Sequence, residues 1–373
     1  MGLEIKEVRS KTSLKEFIYL PEKIHKNHKN WVPPIYMDDW TFFNPKKNKS
    51  FGYSNTILAI AYKDGKPVGR IMGIINNKYN EGHNEKDARF CFMETYEDPE
   101  VFHSLIEYIA DWARTKQMEC LVGPLGFSDK DPQGFMVEGF GEPIVIATNG
   151  NLEYMPKLLE QEGFSKKVDC VVYKLSIPNE IPPFYEAIYK RALNKNNINI
   201  LEFKKRSKLK PFIRPVLSLL NETFADIYAF VPFTEKEMDD FANRYLLLLD
   251  PNFIKVITDK QGNVLSFIIG MPDISKGIIA AKGKILPFGI FNIIKSRKQT
   301  KQLNLLLGGI RPDYRGQGLD VIMGVKMLKS ARKSGLEYLD SHLELETNTK
   351  MRMEMEKMGG IIYKRYRIYQ RKL

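Results

Sequence analysis

Three cysteines, Cys91, Cys120 and Cys170, are all that the 373 residues contain. They are too few for a disulfide framework or a four-cysteine zinc site, so a reducing compartment is expected. The five histidines supply no metal-binding spacing. His25 and His28 lie three apart and are expected on the surface, and no metal is expected. No apolar run reaches the ~18 residues that a membrane-spanning helix needs. The longest, Ile285 to Ile294, is broken by Pro287 and Gly289. The N-terminal segment Leu3-Glu4-Ile5-Lys6-Glu7-Val8-Arg9 alternates and is charged. It fits a strand and not the apolar core of a secretion signal. A cytoplasmic protein is therefore expected.

What is present is a globular composition, 43% hydrophobic and 27% charged. The length suits roughly two domains of about 100–200 residues. Lys and Arg number 57 against 45 Asp and Glu, a net charge of +12. That excess is spread along the chain. It suits anionic ligands such as nucleotide phosphates, nucleic acid or an acidic peptide, and it serves solubility equally well.

The chain repeats itself at a steady offset. Ile5-Lys6-Glu7-Val8 matches Ile200-Leu201-Glu202-Phe203, and Leu14-Lys15-Glu16-Phe17 matches Leu209-Lys210-Pro211-Phe212. Trp31-Val32-Pro33 matches Phe230-Val231-Pro232, and the turn at Asp64-Gly65 matches Gln261-Gly262. Asn151 matches Asn348, and Val172-Tyr173-Lys174 matches Ile368-Tyr369-Gln370. All offsets fall between 195 and 199 residues. One such match is chance; six in order indicate a duplicated fold. The expected units are residues 1–175 and 197–373. Residues 176–196 join them through a proline-rich linker and a helix from Phe184 to Leu193. Each unit reads as strand, helix, hairpin, strand, helix, strand, helix, strand. Asp64-Gly65 supplies the positive φ of a hairpin turn. Asp98 is the expected cap of a helix beginning at Pro99, with an apolar stripe of Phe102, Leu105, Ile109, Trp112 and Ala113.

The segment that carries chemistry is Leu305 to Asp320. An apolar strand runs into Ile310, Arg311 and Pro312, then Arg315-Gly316-Gln317-Gly318, and a helix starts at Leu319-Asp320. Glycines let backbone approach a ligand, and a helix N-terminus offers unpaired N–H groups and a positive dipole end. Together these suit a pyrophosphate. The P-loop and Rossmann patterns are both absent.

Arg315-Gly316-Gln317-Gly318 after Ile310-Arg311-Pro312 resembles the acyl-CoA pyrophosphate loop of the GNAT acetyltransferase superfamily. The following strand, Tyr338 to Glu346, then Asn348, Gly359-Gly360 and a last strand from Tyr363 to Tyr369, fit the same family. The resemblance covers most of residues 197–373 and reaches the first half through the repeat. It implies an α/β architecture of mixed sheets, two tandem GNAT-like folds with a degenerate N-terminal half. It also implies acetyl-CoA or another acyl-CoA as co-substrate, held by Ile310, Arg311, Arg315, Gly316, Gln317, Gly318, Leu319 and Asp320. The reaction expected is direct attack of an amine, on a small molecule or a peptide, at the thioester. Nucleic acid is not an expected partner. The alternatives are a Fem-like aminoacyl transferase and a non-catalytic acyl-CoA-binding scaffold.

The chain departs from the family's pattern in three places. The first half starts its equivalent helix with Glu94-Thr95-Tyr96-Glu97-Asp98-Pro99-Glu100. It has no glycine there, and carboxylates oppose a phosphate, so no acyl-CoA is expected to bind. Its loops at 123–135 and 138–143 are expected to shape the acceptor pocket instead. Asp320 stands where the family has Gly or Ala. Met355 stands where many members have a Tyr that protonates the leaving thiolate, and Tyr366 or Tyr369 are candidate substitutes. Asn348 opens the helix after the strand. Along that strand, alternation puts Asp340, His342, Glu344 and Glu346 on one face. Glu346 is the first candidate for the base that deprotonates the acceptor, and His342 the second.

One basic region stands apart. Lys282, Lys284, Lys295, Arg297, Lys298 and Lys301 flank the apolar Ile285–Ile294 segment. An amphipathic lid, a membrane-surface patch and a contact for an acidic partner all fit that pattern. Proline and glycines argue against a long surface helix, so a solvated loop is the expectation.

Overall fold

The computed structural model describes residues 2–195, 197–246 and 248–373. The strands in chain order are β1 (Leu3–Glu7), β2 (Ser54–Lys63), β3 (Lys66–Asn76), β4 (Asp87–Thr95), β5 (Cys120–Gly123), β6 (Phe135–Glu138) and β7 (Ser165–Ser176). They continue as β8 (Asn199–Glu202), β9 (Ile254–Thr258), β10 (Val264–Pro272), β11 (Gln302–Ile310), β12 (Tyr338–Asp340), β13 (Glu344–Leu345) and β14 (Ile361–Lys372). All belong to one sheet of order β1-β2-β3-β4-β5-β14-β7-β12-β11-β10-β9-β8, with β6 beside β14 and β13 beside β7.

That order reads the same from either end once each strand is replaced by its repeat partner. β1 to β5 correspond to β8 to β12, and β7 corresponds to β14. Each run has one parallel step, β4 to β5 and β11 to β12. The final strands are exchanged. β14, from the second half, completes the first run against β5. β7, from the first half, completes the second run against β12. The mixed α/β topology expected from the repeat is therefore present, closed by this crossover.

Local chemistry explains the elements. Asp64 and Gly65 both take positive φ in the β2–β3 turn. The Asp98 carboxylate accepts from the N–H groups of Glu100 and Val101 and starts the helix Pro99–Thr115. That helix buries Phe102, Leu105, Ile106 and Ile109 completely. At Gly73 a Cβ would lie 3.0 Å from both Ile57 and Trp112, so the absent side chain lets helix and sheet close together.

Two expectations fail here. The strand foreseen from Tyr338 to Glu346 is broken. The Asp340 carboxylate accepts from the backbone N–H of His342 at 2.7 Å, and His342 takes φ +59°. The chain turns, and strict alternation of faces is lost. The Ile285–Ile294 region is likewise no simple loop, since Gly289–Gln299 is helical and packs on a shorter helix, Ser275–Ala280. Gly277 permits the contact, because a Cβ there would fall 2.7 Å from the Asn292 carbonyl.

Where β7 meets β14, Asp169 sits directly opposite Arg367. Its carboxylate is 2% exposed. It accepts from Arg367 at 2.8 and 3.1 Å, and Lys166 and Arg365 lie at 3.4 and 3.5 Å. Burial alone would raise its pKa, but Arg367 and Lys166 hold it below the usual carboxylate value. Asp169→Ala should destabilise the fold by ~3 kcal/mol, the low end for breaking a buried pair, because its partners keep part of their hydration. In the parent protein, Asp169's contribution is complete above an unfolded-state pKa of about 3.9 and is lost as pH falls through the lower folded value. Urea titrations of parent and variant across that range measure both effects.

Candidate functional site

The two halves treat the equivalent cleft differently. In the first half β4 and β5 pair only from Asp87–Arg89 to Cys120–Val122. Beyond that, the opening is filled. The Leu125 N–H donates to the Phe90 carbonyl at 2.8 Å, and buried Arg89 donates to the carbonyls of Gly126 and Phe127. At the helix start, Asp98 occupies the N–H groups itself and is paired with Lys63 at 2.7 Å. Glu94 does not face this position. It turns inward to His25 at 2.5 Å and Arg70 at 3.5 Å.

In the second half β11 and β12 pair only from Gln302–Asn304 to Tyr338–Asp340. After Asp340 the chain turns away and β13 pairs with β7 instead. Among the described residues, no backbone hydrogen bond joins the outer half of β11 to β12 or β13. A register shift opposite Ile269 and Gly270 places a bulge at Leu306, and Gly308 is exposed. The open edge from Asn304 to Ile310 is about 20 Å long at strand rise.

At the far end of that edge lies the glycine turn. Arg311 forks onto Asp313 at 2.7 and 2.9 Å and stacks on Tyr314, which shapes the turn. The Gln317 side chain donates to the Asp313 carbonyl at 2.8 Å. Arg315 is exposed, with one 3.4 Å contact to the Ile310 carbonyl. Gly316 has φ +73° and open space around it. Gly318 caps the helix Leu319–Lys333 with φ +82° and no side-chain cap bond. Its missing side chain also admits the helix Pro183–Lys195, since a Cβ would lie 2.9 Å from Ala192. Leu319 is buried, and Asp320 is exposed in the first turn. The bases that could neutralise Asp320 are engaged elsewhere: Lys326 pairs with Glu202, and Arg352 bonds Tyr173 and the Glu346 carbonyl.

At the near end of the edge a polar cluster gathers from several elements. Tyr363 donates its hydroxyl to Asp340, whose other oxygen holds the His342 N–H. His342 Nε2 is 3.1 Å from the Ile146 carbonyl. A carbonyl accepts only, so Nε2 carries the proton and Nδ1 keeps a lone pair. Burial, and to a lesser degree Lys364, push the imidazole below its ordinary pKa, against Asp340 and the Ile146 contact. Lys364 is buried and donates to the Pro143 carbonyl at 2.6 Å. Burial raises the Glu344 carboxyl to about 7, against a 3.4 Å contact from Asn348.

The other sequence candidates are placed as follows. Glu346 accepts from Lys166 at 2.8 Å and from the Asp169 N–H at 3.0 Å. Asn348 caps the helix Thr349–Lys357 through the Met351 N–H. Met355 is buried in an apolar cluster with Val171, Tyr173 and Leu175. Tyr366 is fully buried, and Tyr369 donates to Glu160 on the first half's side. His25, expected on the surface, is 2% exposed, stacked on Trp31 and bonded to His28 and Glu94. Tyr363 and Lys364 had no spacing signal, because only the fold brings them from β14 to Asp340 at the end of β12.

The chain superposes over its whole length on a tandem GNAT protein from the clavulanic acid biosynthesis pathway, with TM-score 0.57, 10% identity and 98% of that chain covered. A GCN5-related N-acetyltransferase from Sphaerobacter thermophilus gives 0.52 at 10% identity, covering 99% of this chain and 95% of the other. The chain carries the GNAT acetyltransferase fold in tandem. No family model matches it. Among curated proteins it is similar to a bacterial ceramide synthase from Caulobacter vibrioides, 26% identical over 378 residues, which cover 100% of this chain and 98% of that one. It is also similar to Protein YghO of Escherichia coli, 24% identical over 373 residues, 98% and 94% covered. Within the described residues no group of His, Cys, Asp and Glu is arranged to hold a metal ion, and no helix is long and apolar enough to cross a membrane.

Asp320 sets up a measurable competition. In a first turn it favours the helix dipole by ~0.3–1 kcal/mol. Against a phosphate about 4 Å away, an exposed carboxylate costs about 1 kcal/mol in water. On the expectation that this turn holds the CoA phosphates, Asp320→Asn should tighten CoA binding about fivefold in calorimetry while lowering the melting temperature slightly. Weaker binding would assign the carboxylate to organising the loop.

Proposed function

We propose that this chain is an acyl-CoA-dependent N-acyltransferase that acts on a long-chain amino alcohol, the kind of amine that becomes a ceramide. The observation that carries the reading is the contrast between the two halves. The uncapped helix Leu319–Lys333, with Gly316 open beside it, leaves N–H donors for an anion at the end of an open strand edge. The matching helix of the first half is capped by its own Asp98, and its cleft is filled. The reading therefore assigns one co-substrate site per chain, in the unit 197–373, and gives the unit 1–175 a supporting role around the acceptor.

Residues Arg315 to Asp320 would hold the phosphates of an acyl-CoA, which supplies an activated thioester carbonyl. The chain's own groups do the rest. His342 takes the proton that an acceptor amine must lose, at Nδ1, since Nε2–H is fixed on Ile146. Asp340, itself held by Tyr363, fixes the turn that presents the imidazole. Glu346 is tied to Lys166 and the Asp169 amide, which favours His342 over it as the base. The long-chain acceptor and a fatty acyl donor are supported by the Caulobacter relative, to which the chain is similar over its whole length.

The test is turnover of purified protein with palmitoyl-CoA and a sphingoid base, beside acetyl-CoA and short amines. Amide formation from the long-chain pair is expected, with calorimetry giving one CoA per chain. Two sites, or turnover confined to acetyl-CoA with short amines, would defeat the reading. His342→Asn keeps a side chain tolerant of positive φ and removes the base. It should lower kcat by ~10²–10⁴-fold with CoA affinity little changed. In the parent enzyme the acid limb of kcat/KM should fall below the ordinary histidine value of about 6.5, because the imidazole must be neutral to act. A larger loss in Glu346→Gln than in His342→Asn would return the role to Glu346.

A further inference from the structure

The segment between β10 and β11, residues 273–301, has a much shorter counterpart, 77–86, between β3 and β4. It builds a helical hairpin from Ser275–Ala280 and Gly289–Gln299. One face is buried through Ile274, Ile278, Ile285 and Ile293, against Ile35 and Met271. The hairpin is locked to its neighbours: Tyr36 N–H donates to the Gly283 carbonyl, and a Cβ at Gly283 would fall 2.3 Å from the Pro34 carbonyl.

The opposite face is the anomaly. Phe288 is 78% exposed, Phe291 67% and Leu286 62%, with Ile279 and Ile294 also in solvent. Large apolar side chains concentrated in this way mark a contact surface. Around them Lys276, Lys282, Lys284, Lys295 and Lys298 are exposed and Arg297 is half-buried. From residue 274 through 312 the chain has no Asp or Glu. None of these six cations takes part in an ion pair among the described residues. The positive charge is therefore uncompensated.

We propose that this hairpin docks the protein onto an anionic lipid surface, with Phe288, Phe291 and Leu286 entering the interface and the lysines meeting lipid phosphates. Phe and Leu with a lysine border match the composition of interfacial helices. A protein partner fits less well, because protein interfaces, though rich in Phe, are poor in Lys and favour Tyr, Trp and Arg beside it. Residues 274–300 have five Lys, one Arg, and no Tyr or Trp. The docking surface stands independently of the acyltransfer reading. On the acyltransfer reading, Ile146, whose carbonyl fixes His342, and Leu306 of the β11 bulge pack on the hairpin's buried face, so the bilayer and the candidate base would lie on opposite sides of this one element.

Flotation of the full chain with vesicles tests the proposal. Binding is expected to phosphatidylcholine vesicles containing phosphatidylglycerol, weakened by salt, with little binding to phosphatidylcholine alone. Replacing Lys282, Lys284 and Lys298 together with Ala should lower partitioning ~10²-fold, at about fivefold per cation. Phe288→Ser with Phe291→Ser should lower it at least ~10-fold. Both sets are exposed, so unchanged melting temperatures are expected and verify that the fold is intact. No preference for anionic vesicles, or unaltered binding in both variants, would overturn the proposal. A parent dimer in light scattering that the Phe291→Ser variant dissolves would also overturn it, by assigning the face to a second copy of the chain.

Discussion

The pairing of β7 with β14 is the constraint on which the rest depends. These two strands are the last of their respective halves, and each lies inside the other half's run. Neither half closes its sheet from its own residues alone. Asp169 and Arg367 sit opposite each other in this pair, and a buried carboxylate with three cations near it has no low-cost alternative register. The exchange thus couples the halves into one folding unit. In each run the β4-type strand parts from its β5-type neighbour after three paired residues, and the opening in the second half is the candidate site.

The same scaffold appears twice, and a few side chains decide what each copy can do. In the first, Asp98 satisfies the helix N-terminus and the 124–127 loop crosses the opening. In the second, glycines replace the cap, and the Asp340–His342 turn carries the chain away from β11. Both are local hydrogen-bond choices. A carboxylate bonded to its own backbone closes one site, and a carboxylate bonded to its own backbone two residues on opens the other.

Much of this was legible in the sequence, for identifiable reasons. The repeat showed through because turn and strand positions such as Asp64-Gly65 and Gln261-Gly262 keep their spacing. Asp98 before Pro99 marks a helix start by local chemistry, and so does Arg315-Gly316-Gln317-Gly318. The strand exchange was not legible, since β7 and β14 carry matching patterns and spacing does not say which copy pairs with which neighbour. Alternation past Asp340 misled, because a single side-chain bond to the His342 N–H ends the strand without any glycine or proline. His25 looked like a surface residue for want of a nearby partner in sequence; its partner Glu94 is 69 positions away. The Ile285–Ile294 region looked like a loop because its glycines were read as breakers. In the structure, Gly277, Gly283 and Gly289 are points of close packing.

On the proposed reading, the cleft is also electrically divided. One end has a helix N-terminus with Arg315 beside it, suited to phosphates. The other has Asp340 beside the imidazole, suited to an amine that reaches the site as an ammonium. The cationic Lys364 opposes that second role, but it is buried, faces Asp340, Glu142 and Asp273, and has its pKa lowered chiefly by desolvation. The Asp340 end would hold the ammonium, and a neutral imidazole there would then relieve it of a proton. The two tasks need different groups, because a carboxylate that binds the cation well favours its protonated form. Separating Asp340, which is held by Tyr363 and the His342 N–H, from a His342 whose Nδ1 remains available meets that requirement within two residues of one turn.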